Sequence, residues 1–122
     1  MIVEDNDDIA FVMQALVAQC GHTAKRVGDG QAALVLAKEW RPEVGLIDIG
    51  LPDMSGYQVA GGLRKDVATQ SMILVALTGF GQEEDRMRAL EAGFHRHVVK
   101  PISLDVLSAL LRDASESSFA NY

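Results

Sequence analysis

The stretch VGLIDIGLPDMSG, Val44–Gly56, changes character at Asp48. Up to that residue Val44, Gly45, Leu46 and Ile47 run without polar alternation, the pattern of a strand buried on both faces. Beyond it, Gly50, Pro52, Asp53, Ser55 and Gly56 supply turn chemistry. A carboxylate at the end of a buried run costs several kcal/mol if left unpaired, so Asp48 is either satisfied locally or placed for chemistry.

Outward from this strand, two periodicities alternate. Further β-like runs occur at Met1–Val3, Thr23–Val27, Met72–Leu77 and His97–Val99. Between them lie segments with helical spacing. Ile9, Val12, Met13, Leu16, Val17 and Cys20 predict one apolar face of a first helix, closed by Gly21. A second helix is expected over Gln31–Glu39, ending before Pro42 and anchored by packing of Trp40. A third covers Gly56–Lys65, where the adjacent Gly61 and Gly62 imply close packing or fraying. A fourth spans Glu83–Ala92 with acids in its first turn and Gly93 after its last. A fifth covers Leu104–Ala114 with Ser103 as N-cap. The order βαβαβαβαβα, joined by right-handed crossovers, predicts a doubly wound parallel α/β sheet with helices on both faces. The expected domain is 1–114, with the polar residues 115–122 a frayed tail or linker stub. The first strand is short at its start, the expectation for a domain cut from a longer chain or a sequence whose first residues are missing.

Composition narrows the function. A chain of 122 residues, 48% hydrophobic and 23% charged, has the size and balance of one globular domain. A net charge of −6 opposes nucleic-acid binding and leaves cations and basic protein faces as partners. The single cysteine, Cys20, excludes an intrachain disulfide; it reads as a small buried apolar residue in a reducing, cytoplasmic setting. No apolar run reaches the ~20 residues of a membrane span, so no membrane contact is expected.

In an open parallel sheet, ligands bind beyond the carboxyl ends of the strands. Glu4 and Asp5 follow the first strand, Asp48 ends the third, Thr78 the fourth and Lys100 the fifth. Two carboxylates about 4 Å apart repel by roughly 4 kcal/mol at an effective dielectric near 20, so three acids demand a cation. Lys100 supplies one charge. An all-oxygen site with open positions suits Mg²⁺, held by Asp5, Asp48 and a backbone carbonyl, with Glu4 acting directly or through water. An Asp beside Mg²⁺ and Lys is a nucleophile suited to phosphoryl transfer.

VEDN, DIGLPDMSG, LTG and VVKP stand in that order, with Thr78 30 residues after Asp48 and Lys100 22 after Thr78. In these motifs the chain resembles the receiver domains of two-component response regulators over about Met1–Ala114; AGFHRHVVKP further resembles receivers carried by hybrid sensor histidine kinases. The resemblance implies a flavodoxin-like (βα)5 fold with strand order 2-1-3-4-5. It makes Asp48 the phosphoacceptor, and Glu4, Asp5, Asp48 and the Gly50 carbonyl the metal site. Thr78 becomes the switch hydroxyl, with Lys100 as its partner at the phosphoryl group, and Gly79 leaves room for a backbone N–H. The Lys100–Pro101 peptide is expected to be cis, a state of only about 5–6% of X–Pro bonds. The implied partner is a sensor histidine kinase or histidine phosphotransfer protein. A second copy, meeting through the fourth helix and fifth strand, is a further candidate partner.

One position departs from the family pattern. His97 stands where an aromatic switch residue is common; a planar ring keeps a switch role open. Gly50 is expected to admit a hydrolytic water that Phe80 partly shields. His95 and His97, two residues apart, lack a third metal ligand nearby and read as solvated or stacked rings. The expected chemistry is limited to self-phosphorylation and self-dephosphorylation, not turnover of an external substrate. A Mg-dependent phosphohydrolase of the haloacid-dehalogenase type needs a second Asp two residues after the nucleophile, where this chain has Gly50. A nucleotide- or flavin-binding module needs a phosphate-cradling loop where this chain has EDNDD. The remaining alternative is a degenerate receiver used only for protein contact.

Overall fold

In the computed structural model, which describes residues 1–79 and 83–115, the Val44–Asp48 run forms a central strand, buried from Gly45 to Asp48. The elements in chain order are β1 (Ile2–Val3), α1 (Asp7–Gln19), β2 (Arg26–Val27), α2 (Gly30–Trp40) and β3 (Val44–Asp48). There follow α3 (Gly56–Lys65), β4 (Ile73–Thr78), α4 (Glu83–Ala92), β5 (Arg96–Val99) and α5 (Leu104–Ser115). All pairings are parallel and the strand order is β2-β1-β3-β4-β5, as expected. The Phe80 shield and the tail beyond Ser115 lie outside the described residues.

Strand alternation divides the core into two layers. Val3, Ile47, Leu74 and Ala76 face α2, α3 and α4, where they meet Ala33, Ala37, Val59, Leu63 and Ala89. Ile2, Leu46, Val75 and Leu77 face α1 and α5, meeting Met13, Val17, Leu107 and Leu111. Burial on both sides explains why these strands do not alternate in polarity.

The α1 expectation needs correction. Its buried residues are Ala10, Met13 and Val17, whereas Ile9 is exposed and Val12 is 54% exposed. The helix carries more apolar side chains than one face can bury; Phe11, at 73%, is exposed too. Cys20 is half-buried at the helix C-cap rather than fully buried, and Gly21 follows at φ +85°. The outer strands also differ at their ends. β2 pairs only at Arg26 and Val27, β4 runs on to Thr78, and β5 starts at Arg96.

The helices begin where side chains cap them. Asn6 accepts from the Ile9 N–H at 3.0 Å, Ser103 from Val106 at 3.2 Å, and Ser55 forms a reciprocal capping box with Gln58. The start of α2 is held twice. Its own Asp29 accepts from Ala32 at 2.7 Å. Asp53, from the loop after β3, accepts from Gly30 at 2.8 Å and Gln31 at 2.9 Å, bonds that draw its carboxyl below the usual carboxylate range. Trp40 packs against the core at the far end of α2, with the Lys25 ammonium 4.9 Å from its ring centre. Gly62 lies against Leu34 of α2, while Gly61 faces open space.

At the opposite end of the sheet from Asp48, Arg64 ties three segments together. Its guanidinium donates to the carbonyls of Gly93 (3.0 and 2.7 Å), Gln70 (2.7 Å) and Met72 (2.6 Å). It also donates to His95 Nδ1 at 3.2 Å, which accepts from the Leu74 N–H as well. His95 is thus a half-buried, hydrogen-bonded ring. Burial, then the Arg64 and Arg96 charges, lower its pKa from 6.5. A histidine with a depressed folded pKa destabilises the fold only where the unfolded chain takes up a proton and the native one does not. Stability is therefore expected to be complete above pH 6.5 and to fall as pH drops below it. His95→Asn keeps an acceptor near the Nδ1 position without titrating there, and should flatten this slope in urea unfolding followed between pH 7.5 and 5. Equal slopes for the two proteins would reject the assignment.

Candidate functional site

Parallel register brings the chemistry-bearing residues together. Val3 pairs with Ile47, so Glu4 and Asp48 leave their strands at the same level. Asp48 pairs with Leu77, which puts Thr78 one residue further along β4. The Lys100 N–H donates to the Thr78 carbonyl at 2.7 Å, fixing the end of β5 beside it. Four adjacent strands thus deliver an acidic pair, a carboxylate, a hydroxyl and an ammonium to one edge.

The side chains are mutually engaged. Lys100 Nζ lies 2.7 Å from Glu4 Oε1 and 3.2 Å from Asp48 Oδ2. Glu4 is 1% exposed and Asp48 7%, so these are buried charges that need their partners. Glu4 Oε2 accepts from the Asn6 N–H at 3.2 Å, and Asp48 Oδ1 from the Gly50 N–H at 3.2 Å. Burial raises the Glu4 pKa above 4.5 despite the hydrogen bonds from Lys100 and Asn6 that oppose it. For Lys100, burial acts to lower the pKa, but hydrogen bonds to Glu4 and Asp48 outweigh it and raise the value above 10.5. The ammonium therefore stays charged.

Ligand oxygens of Glu4, Asp5 and Asp48 lie within 4.8 Å of one another, with Asp5 exposed at the rim. This all-oxygen set fits a hard divalent cation, and the exposed side leaves positions for water or an incoming oxygen. Because both Glu4 oxygens are already engaged, Glu4 contributes charge more than a free ligand atom.

The structure adds residues that local sequence did not single out. Arg26 Nε donates to the Glu4 carbonyl at 2.8 Å while its Nη1 meets Asp7 Oδ1 at 2.9 Å, bracing the acidic loop after β1. Gly56 packs under the site: a Cβ there would fall 2.6 Å from the Asp48 carbonyl oxygen. Among the described residues nothing lies within 4 Å of a Cβ placed at Gly50 or Gly79. The Lys100–Pro101 bond is cis, as expected. His97 Nε2 lies 3.2 Å from Thr78 Oγ1, so this ring too is hydrogen-bonded.

A family model described as "Response regulator receiver domain" matches residues 1–112. Among curated proteins, the polar-differentiation response regulator DivK of Brucella anthropi is 34% identical over 118 residues, covering 93% of this chain and 96% of DivK. The transcriptional regulatory protein KdpE of Mycobacterium tuberculosis is also 34% identical; the match covers 93% of this chain but 49% of KdpE. Among solved structures, the receiver domain of the sensor histidine kinase PA1611 of Pseudomonas aeruginosa, with magnesium coordinated in its active-site cleft, superposes with a TM-score of 0.84. It is 29% identical, with 91% of each chain covered. The chemotaxis protein CheY4 of Vibrio cholerae shares the fold at a TM-score of 0.86 and 22% identity, over 93% of this chain and 94% of its own.

Proposed function

The chain belongs to the response regulator receiver domain family of two-component signalling, and from that membership we propose that Asp48 is its phosphoacceptor. The observation that carries the reading is the Lys100 ammonium seated between Glu4 and Asp48, beside a third carboxylate from Asp5.

The donor is a phosphohistidine on a sensor kinase or histidine phosphotransfer protein. An Asp48 oxygen forms the new bond to phosphorus as the bond to the histidine nitrogen breaks, and the electron pair leaves with the imidazole. Gly50 N–H and Lys100 hold the carboxylate in orientation before attack. As the phosphoryl group arrives, Lys100 is placed to exchange its Asp48 contact for a phosphoryl oxygen, and Thr78 donates its hydroxyl to another. Asp5, Asp48 and the Gly50 carbonyl would hold Mg²⁺, with Glu4 behind them. When bound, the ion supplies positive charge that offsets charge on the transferring oxygens. The domain catalyses only its own phosphorylation and slower hydrolysis. Output follows a population shift across α4 and β5, where the exposed Met87 and Val99 offer apolar surface for an effector or a second copy. Among the described residues no helix is long and apolar enough to cross a membrane.

The test is intact-mass analysis after incubation with acetyl phosphate and Mg²⁺. The wild-type protein should gain one phosphoryl group, and Asp48→Asn should gain none. Chelation of the divalent ion should abolish uptake. Label persisting in Asp48→Asn would move the acceptor elsewhere, and no label with any donor would reduce the domain to a contact module.

A further inference from the structure

We propose that Arg26 is a positioning residue for the cation site, holding the Glu4–Asp5 peptide so that Asp5 meets a divalent ion beside Asp48. The inference rests on the metal-dependent phosphoacceptor reading above. It adds a residue from β2, a strand that supplies none of the site's ligands.

The pairing of β1 with β2 ends at Val3 and Val27. Beyond it the Glu4 N–H still donates to the Val27 carbonyl at 3.1 Å, but the Glu4 carbonyl turns to a side chain, accepting from Arg26 Nε at 2.8 Å. A guanidinium only donates, so this bond has one direction. The peptide unit is planar, and fixing its carbonyl therefore also fixes the nitrogen and Cα of Asp5. Gly28 backs both groups. A Cβ built there would lie 3.8 Å from Arg26 Nη2 and 4.0 Å from Asp5 Cα, ordinary contact distances.

Asp5 needs such support more than the other two acids. Glu4 is held by Lys100 and the Asn6 N–H, and Asp48 by Lys100 and the Gly50 N–H. Asp5 is exposed, and among the described residues no hydrogen bond or ion pair reaches its carboxylate. Its aim comes from the main chain beneath it. The second contact of Arg26, from Nη1 to Asp7 Oδ1 at 2.9 Å, joins an acid whose side chain is 90% exposed, and a solvated ion pair of this kind adds little. Positioning therefore falls to Nε. The charge of Arg26 acts the other way, since a guanidinium near the acids repels an incoming cation. Groups that orient a metal ligand without touching the ion account for about 10–100-fold in affinity, so loss of the Nε donor should weaken Mg²⁺ binding by ~10-fold.

The experiment is calorimetric titration of Mg²⁺ into the unphosphorylated protein, with two replacements of Arg26. The glutamine amide nitrogen stands as many bonds from Cα as Nε does, so Arg26→Gln keeps a donor for the Glu4 carbonyl while removing the charge. Arg26→Met keeps an unbranched stem and has no donor. Arg26→Met should bind Mg²⁺ ~10-fold more weakly than wild type, and Arg26→Gln at least as tightly as wild type. Equal weakening in both would assign the effect to general loosening of the loop and overturn the proposal, as would unchanged or tighter binding by Arg26→Met. In the unmutated chain the Arg26 Nε–H resonance should exchange slowly with water before and after Mg²⁺ saturation. Rapid exchange in either state would overturn the proposal even where Arg26→Met fails to fold. If wild type binds no Mg²⁺, the inference falls together with the metal reading. If wild type binds Mg²⁺ and takes up a phosphoryl group while Arg26→Met matches its affinity, the inference alone falls.

Discussion

Replacing Lys100 by methionine is expected to lower folding stability by about 3 kcal/mol at neutral pH and to slow phosphoryl uptake at Asp48 by ~10²–10³-fold. Methionine keeps an unbranched apolar stem of similar length, so little packing is lost. What changes is the charge. Glu4, 1% exposed, would keep the Asn6 N–H but lose the ammonium 2.7 Å away, and Asp48 would lose its contact at 3.2 Å. Two acids at the same level of adjacent strands would then face each other without the cation between them. Glu4 can relieve the strain by taking a proton, since burial already raises its pKa and Lys100 is the first group opposing that rise. The sign of the pH dependence follows. A carboxyl whose folded pKa exceeds its ordinary 4.5 binds protons more tightly when folded, so stability falls as pH rises from 4.5 through the folded value. The deficit of Lys100→Met relative to wild type should be smallest below pH 4.5 and complete above the raised pKa. Urea unfolding across this range, with acetyl phosphate kinetics at neutral pH, measures both effects. A stability deficit independent of pH would show that lost packing, not lost pairing, was responsible.

The second large effect contrasts two glycines of one helix. Gly56→Ala is expected to destabilise by about 2 kcal/mol, although alanine is the better helix former. The added Cβ would lie 2.6 Å from the Asp48 carbonyl oxygen and 2.8 Å from Ile49 Cα, both backbone atoms that cannot swing away. The first turn of α3 would have to lift off β3, stretching the 2.8 Å bond from Gly56 N–H to the Ile49 carbonyl. The same displacement disturbs the loop carrying Gly50, so phosphoryl uptake should slow as well. Gly61→Ala, five residues on, places its Cβ in open space and should stabilise by about 0.5–1 kcal/mol through propensity and a less flexible unfolded chain. Equilibrium unfolding of the two variants should give opposite signs. Matching signs would mean that the close approach of α3 to β3 does not constrain residue 56.

These contrasts mark how far local sequence reaches. The doubly buried strands, the helix cap at Ser103, and the gathering of Glu4, Asp5, Asp48, Thr78 and Lys100 all follow from patterns within a few residues plus the topology those patterns imply. The orientation of α1 did not follow. A helix bearing Ile9, Phe11, Val12, Met13, Leu16 and Val17 offers several apolar stripes, and only contact with α5 and the sheet selects one. The second cap of α2 was equally hidden, because Asp53 reaches Gly30 across 23 residues of chain. His97 was legible as a departure from an aromatic pattern, but its bond to Thr78 became visible only through the pairing of His97 with Ala76.

Arg64 illustrates a different kind of constraint. Gly93 holds φ +112°, and a Cβ on it would sit 2.9 Å from Arg64 Cγ, while the Gly93 carbonyl receives two of the guanidinium's hydrogen bonds. A side chain at 93 would evict the arginine, and truncating the arginine would strip the cover from a left-handed turn. Two residues 29 positions apart are thus energetically coupled: part of the cost of a side chain at 93 is the displacement of Arg64, so a double substitution should cost less than its two halves added together.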